Sequence, residues 1–108
     1  MDIYDLRPSP AVTAFLDRFA DGQEYLAFTY FFRRLIQEPG GTGKREFAHH
    51  GPRRTLHFSY YVSGDLRTIF VMMAYQERPG EPRERDLAAE AEFLSAIQKL
   101  EKHHGQDT

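Results

Sequence analysis

The sequence has no cysteine. That excludes a disulfide framework, a thiolate zinc site and a cysteine nucleophile, and it fits a cytoplasmic protein. No apolar run approaches the roughly 20 residues that a membrane-spanning helix requires, so no membrane segment is expected. The opening residues, MDIYDLRP, are acidic and lack the apolar stretch of a secretory signal, so export is not expected either. A strong charge of one sign is also missing. The 14 Lys and Arg stand against 16 Asp and Glu, a net −2, whereas a dedicated nucleic-acid binder is usually basic as a whole. There is no internal repeat and no low-complexity segment. What is present is 108 residues, 41% hydrophobic and 14% aromatic, which suits a single domain over 1–108 whose core needs no metal or disulfide support.

The small net charge hides an uneven distribution. Residues 1–32 carry −3 and residues 86–108 carry −3, while residues 33–85 carry +4. A basic centre between acidic flanks is compatible with a local polyanion site.

The stretch organising the fold is TLHFSYYVSGDLRTIFVMMAY, residues 55–75. Leu56, Phe58, Tyr60 and Val62 alternate with Thr55, His57, Ser59 and Tyr61, the period of a half-buried strand. Ser63, Gly64 and Asp65 form the turn, with the glycine expected to supply a positive φ. In the second strand, 67–75, Ile69, Val71, Met73 and Tyr75 alternate with Phe70, Met72 and Ala74, so both faces are apolar. Such a strand is central and must be covered by the rest of the chain.

A short strand is expected over 2–6, ended by Pro8. Ser9 then Pro10 predicts a helix over 10–20, with Val12, Phe15, Leu16 and Phe19 on its inner face. Asp21 and Glu24 form a capping box for a second helix over 22–37 with a broad aromatic arc, read as core packing. Residues 45–48 suit a short strand. A final helix is expected over 84–103, with Leu87, Ala91, Leu94 and Ile97 inward and Glu90 and Glu92 solvated; the residues after 104 should fray. The order is α+β: a short strand, two helices, an antiparallel sheet and a closing helix, with the helices on one sheet face and the other partly open.

Lys44, Arg45, Arg53 and Arg54 in the polar stretch 42–54 form a candidate phosphate-contacting patch, the alternative being a solvated loop. Gly40 to Lys44 is not a phosphate loop, because no hydroxyl residue and no helix follow Lys44. His49, His50 and His57 have no carboxylate or cysteine at ligand spacing, so no metal and no cofactor are expected.

Three segments resemble the RelE/HigB superfamily of toxin–antitoxin toxins, in particular its phage-derived Gp49-like branch: VTAFLDRF (12–19), YYVSGDLRTIFVMMAY (60–75) and EPRERDLAAEA (81–91). They follow the family's order across most of the chain. The resemblance implies a RelE-like fold, a cytoplasmic setting, an antitoxin partner and metal-independent, translation-linked cleavage of mRNA on the ribosome. Such cleavage needs a base, cations for the phosphorane charge and an acid. His57 is the candidate for proton transfer, Arg67 and Arg78, with Arg53 and Arg54, for phosphate, and Tyr61 for base stacking. The bland alternative makes His57 a half-exposed cross-strand neighbour and the arginines solvating groups at strand ends. The chain departs from the family where His57 replaces an arginine and Gln76-Glu77-Arg78 replaces a Lys-Lys pair, and it is not basic overall. Those departures favour the competing expectation, a non-catalytic protein-interaction module on the same fold, such as a phage-borne inhibitor or regulator.

Overall fold

A computed structural model describes residues 3–81 and 85–106. It is α+β. The elements are β1 (Asp5–Pro8), α1 (Pro10–Phe19), α2 (Gly22–Gln37), β2 (Gly43–His50), β3 (Thr55–Ser63), β4 (Thr68–Glu77) and α3 (Leu87–Gln106). Asp2, expected to open the first strand, and Glu84, expected to open the last helix, lie outside the described residues, as do Asp107 and Thr108. No described helix is long and apolar enough to cross a membrane.

The helix starts follow local chemistry. The Ser9 Oγ accepts from the Val12 N–H at 3.2 Å and donates to the Met72 carbonyl at 2.7 Å, so the cap of α1 is also pinned to β4. At α2 the Asp21 carboxylate accepts from the Glu24 N–H at 2.8 Å and Glu24 accepts from the Asp21 N–H at 2.9 Å, closing the expected capping box.

The strand order is β1-β4-β3-β2. The sheet is mixed rather than wholly antiparallel, because β1 runs parallel to β4 with Leu6 opposite Ile69. Pro8 is tolerated within β1 because that strand is an edge. The hairpin turn also differs from expectation: the left-handed residue is Arg67, at φ 50°, and not Gly64. The loop takes four residues, 64–67, and its last one makes the reversal into β4.

A β-bulge decides which side chains share a face. Tyr60 pairs with Val71 but Ser59 pairs with Met73, which leaves Met72 as an extra residue in β4. Alternation therefore slips by one. Ile69, Val71 and Ala74 meet the core under α1 and α2, together with Val12, Phe28, Phe32, Leu56 and Phe58. Phe70, Met72 and Met73 meet the other face, with Ile97, Phe93 and Leu94 of α3. Tyr75, expected beside Val71, is thereby moved to the face of its partner His57.

That second face is not open. The closing helix covers it, because the bulge places two methionines there beside Phe70. The inward stripe of α3 also differs from its apolar pattern. Leu87 is 63% exposed, whereas Glu90, expected to be solvated, is 1% exposed. Its carboxylate accepts from Arg85 Nε at 3.0 Å and Nη2 at 2.9 Å and lies 2.6 Å from Lys44 Nζ. Glu101 accepts from the Tyr61 hydroxyl at 2.8 Å and the Ser63 hydroxyl at 2.7 Å. One buried carboxylate, Glu90, and one half-buried, Glu101, thus dock α3 along with its apolar residues.

Phe32 is fully buried and meets the Tyr60 ring edge-on at 5.3 Å, whereas Tyr30, two residues earlier, is 72% exposed. Phe32→Ala should cost about 3–5 kcal/mol of unfolding free energy, and Tyr30→Ala less than about 0.5 kcal/mol, by urea denaturation.

Candidate functional site

The β2–β3 connection, residues 51–54, is a tight turn closed by the Gly51 N–H to the Arg54 carbonyl at 2.9 Å. It gives adjacent arginines opposite fates. Arg54 turns inward beneath the α1–α2 junction. Its Nε donates to Glu24 Oε2 at 2.9 Å, its Nη2 to Glu24 Oε1 at 2.7 Å and its Nη1 to Gln76 Oε1 at 2.8 Å, and Nη2 also reaches the Phe19 carbonyl. The bidentate pair holds the Glu24 carboxyl below its ordinary value, against burial that raises it, and pushes the Arg54 guanidinium up. Arg53 points to solvent.

Across from this turn, β4 ends at Glu77 and the chain continues to Arg78, also exposed. Neither Arg53 nor Arg78 has an ion-pair partner among the described residues. A cavity of about 320 Å³ lies between them, bordered by Thr55 and Glu77. Behind Glu77 stands His57. Its Nε2 is 2.9 Å from Glu77 Oε1, and its ring stacks on Tyr75 at 4.7 Å and 8°. Nδ1 faces Glu46 at 3.9 Å. The His57 side chain is 11% exposed, so it sits beneath the rim and not on it.

This end of the sheet therefore brings together Arg53 and Arg78, with His57 one layer in. The other expected residues lie elsewhere. Arg67 is at the opposite end of β4, eleven residues and so roughly 35 Å from Arg78; its guanidinium lies over the Tyr4 ring at 5.3 Å. No single phosphate can meet both. Tyr61 is held under α3 by Glu101, and burial followed by that hydrogen bond pushes its phenol up. Lys44 is paired with Glu90. Arg45 folds back to the Pro39 carbonyl at 2.6 Å and the Gly41 carbonyl at 3.1 Å, over the Tyr60 ring. The expected patch of Lys44, Arg45, Arg53 and Arg54 is thus divided, and of the four Arg53 alone faces water without a partner among the described residues.

No protein-family model matches the chain, and no curated protein matches it.

Sequence reading missed Glu77 as the partner of His57, because the bulge at Met72 sets that pairing and leaves no mark in the alternation. It missed Arg18 too, and it placed Phe19 on the inner face of the first helix, whereas Phe19 at the last turn is exposed and with Arg18 borders a second cavity behind the turn, lined also by His49, Arg53 and Arg78. Among the described residues no three His, Asp or Glu gather as metal ligands.

The Glu24 and Glu90 carboxyls are both held below the ordinary 4.5, chiefly by hydrogen bonds from Arg54 and Arg85. Depressed carboxyls contribute stability above the unfolded-state value, and that contribution is lost as pH falls through the folded-state value. Unfolding free energy from urea titrations should therefore decline below pH 4.5, and the decline should be shallower in Glu24→Gln and in Glu90→Gln.

Proposed function

We propose that the chain is a RelE/HigB-like toxin acting on RNA in the cytoplasm, engaging the phosphate backbone at the end of the β3–β4 hairpin. The observation that carries this reading is the pair of exposed arginines, Arg53 and Arg78, without an ion-pair partner among the described residues, beside the His57–Glu77 pair. The order of elements agrees with the resemblance in residues 12–19, 60–75 and 81–91. In this reading Arg53 and Arg78 bind the scissile phosphate and stabilise the charge that develops on it. His57, oriented by Glu77, takes the 2′-hydroxyl proton. The 2′-oxygen then bonds to phosphorus, the bond to the 5′-oxygen breaks, and the departing oxygen takes a proton from water. The products are a 2′,3′-cyclic phosphate and a 5′-hydroxyl. Tyr61, Arg67, Lys44, Arg45 and Arg54 have no part in that step.

A second reading is a non-catalytic protein-interaction module on the same scaffold, an inhibitor or regulator that binds one protein partner. The shielding of His57 between Glu77 and the Tyr75 ring favours it, as do the acidic flanks of the chain.

Induction in bacteria separates the two. On the first reading the wild type arrests growth and degrades ribosome-bound mRNA, and His57→Ala abolishes both. Arg53→Ala with Arg78→Ala lowers cleavage by about 100-fold, and Arg67→Ala leaves it intact. Full arrest by His57→Ala, or a stoichiometric protein partner recovered without RNA loss, contradicts the first reading and supports the second.

A further inference from the structure

The larger cavity, on the helical side of the turn, shares Arg53 and Arg78 with the groove above, but its other wall, with Arg18, Phe19 and Gln23, takes no part in that chemistry. It measures about 600 Å³, within the range of small-molecule sites. One wall is the α1–α2 junction, with Arg18, Phe19, Asp21 and Gln23; the other is His49, the turn and Arg78. Its floor is the Arg54–Glu24 pair, whose charges already cancel. Of the remaining charges, Arg18, Arg53 and Arg78 are positive and Asp21 is negative, and Asp21 is turned toward the Glu24 N–H as a helix cap. The excess is +2 in a chain of −2. None of the three arginines has an ion-pair partner among the described residues. Beside them Phe19 leaves 59% of its surface to solvent, braced from behind by the Phe15 ring at 5.6 Å.

Those features specify a ligand with two unlike ends. Guanidinium groups that outnumber the carboxylates beside them recognise a phosphate dianion, whose charge matches the excess of the cleft. An exposed ring fixed at the edge of a basic cleft offers a stacking face to a planar base. Gln23 adds an amide, donor and acceptor together, for a base edge. We propose that this cleft binds a nucleoside 5′-monophosphate, with its phosphate on Arg18, Arg53 and Arg78 and its base against Phe19.

The test is calorimetric titration of the full chain with adenosine 5′-monophosphate, adenosine, inorganic phosphate and a single-stranded oligoadenylate. Saturable one-to-one binding of the monophosphate is expected, with adenosine and inorganic phosphate each at least about tenfold weaker. Arg18→Ala should weaken the monophosphate and inorganic phosphate alike. Phe19→Ala should weaken only the monophosphate, by about fivefold to tenfold. Both residues are exposed, so unchanged melting curves establish that each variant is folded. Three results overturn the proposal: no saturable heat with the monophosphate, equal affinity for the monophosphate and inorganic phosphate, or binding of oligoadenylate alone. Because Arg18 and Phe19 lie outside the groove assigned to RNA cleavage, growth arrest by these variants reports on the other reading separately.

Discussion

The buried pair between Arg54 and Glu24 is the constraint on which the functional end of this molecule depends. One guanidinium reaches a carboxylate of α2, the last carbonyl of α1 and an amide of β4. It thereby ties the helical layer to the turn between β2 and β3 and to the far end of β4. Taking an arginine and a glutamate out of water is costly, and two parallel hydrogen bonds plus a cap at each remaining polar atom offset that cost. The consequence is positional. With Arg54 facing in, its neighbour Arg53 faces out across from Arg78, and two cavities open on either side of the same turn.

The extra residue at Met72 has a comparable reach along the sheet. It brings Met73 to the side of Met72 and Phe70, which gives α3 an apolar seat, and it shifts Tyr75 and Glu77 onto the face of His57. A histidine that would have faced a bare surface instead has a carboxylate and a parallel ring. Lys44 and Arg85 are drawn to Glu90 under the helix, so much of the positive charge in the middle of the chain holds the fold together and is not displayed. This is why a +4 segment yields a small basic end and not a basic face.

Much of the fold was legible in the sequence for identifiable reasons. Ser9 with Pro10, and Asp21 with Glu24, are local devices whose hydrogen bonds span three residues, so α1 and α2 begin where the caps predict. The alternation of Leu56, Phe58, Tyr60 and Val62 reports one continuous buried face. The bulge was not legible, because Val71, Met72 and Met73 are all apolar and a slip among them leaves no pattern. The rotation of α3 was hidden because Glu90 reads as solvent-facing until Lys44, from β2, and Arg85 are brought to it. Among the candidate site residues, His57, Arg53 and Arg78 were visible as residue types near strand ends. Which arginine would be consumed by the core depended on where the α1–α2 junction lands, and no local signal carries that.

The roles given to the adjacent arginines can be compared directly. Chemical denaturation of Arg53→Ala and Arg54→Ala, side by side at neutral pH, measures them in one quantity. The account predicts that loss of Arg54, which strands the Glu24 carboxylate, costs about 3 kcal/mol, while loss of Arg53 changes stability by less than about 0.5 kcal/mol. Equal effects at the two positions, or a larger one at Arg53, would contradict it.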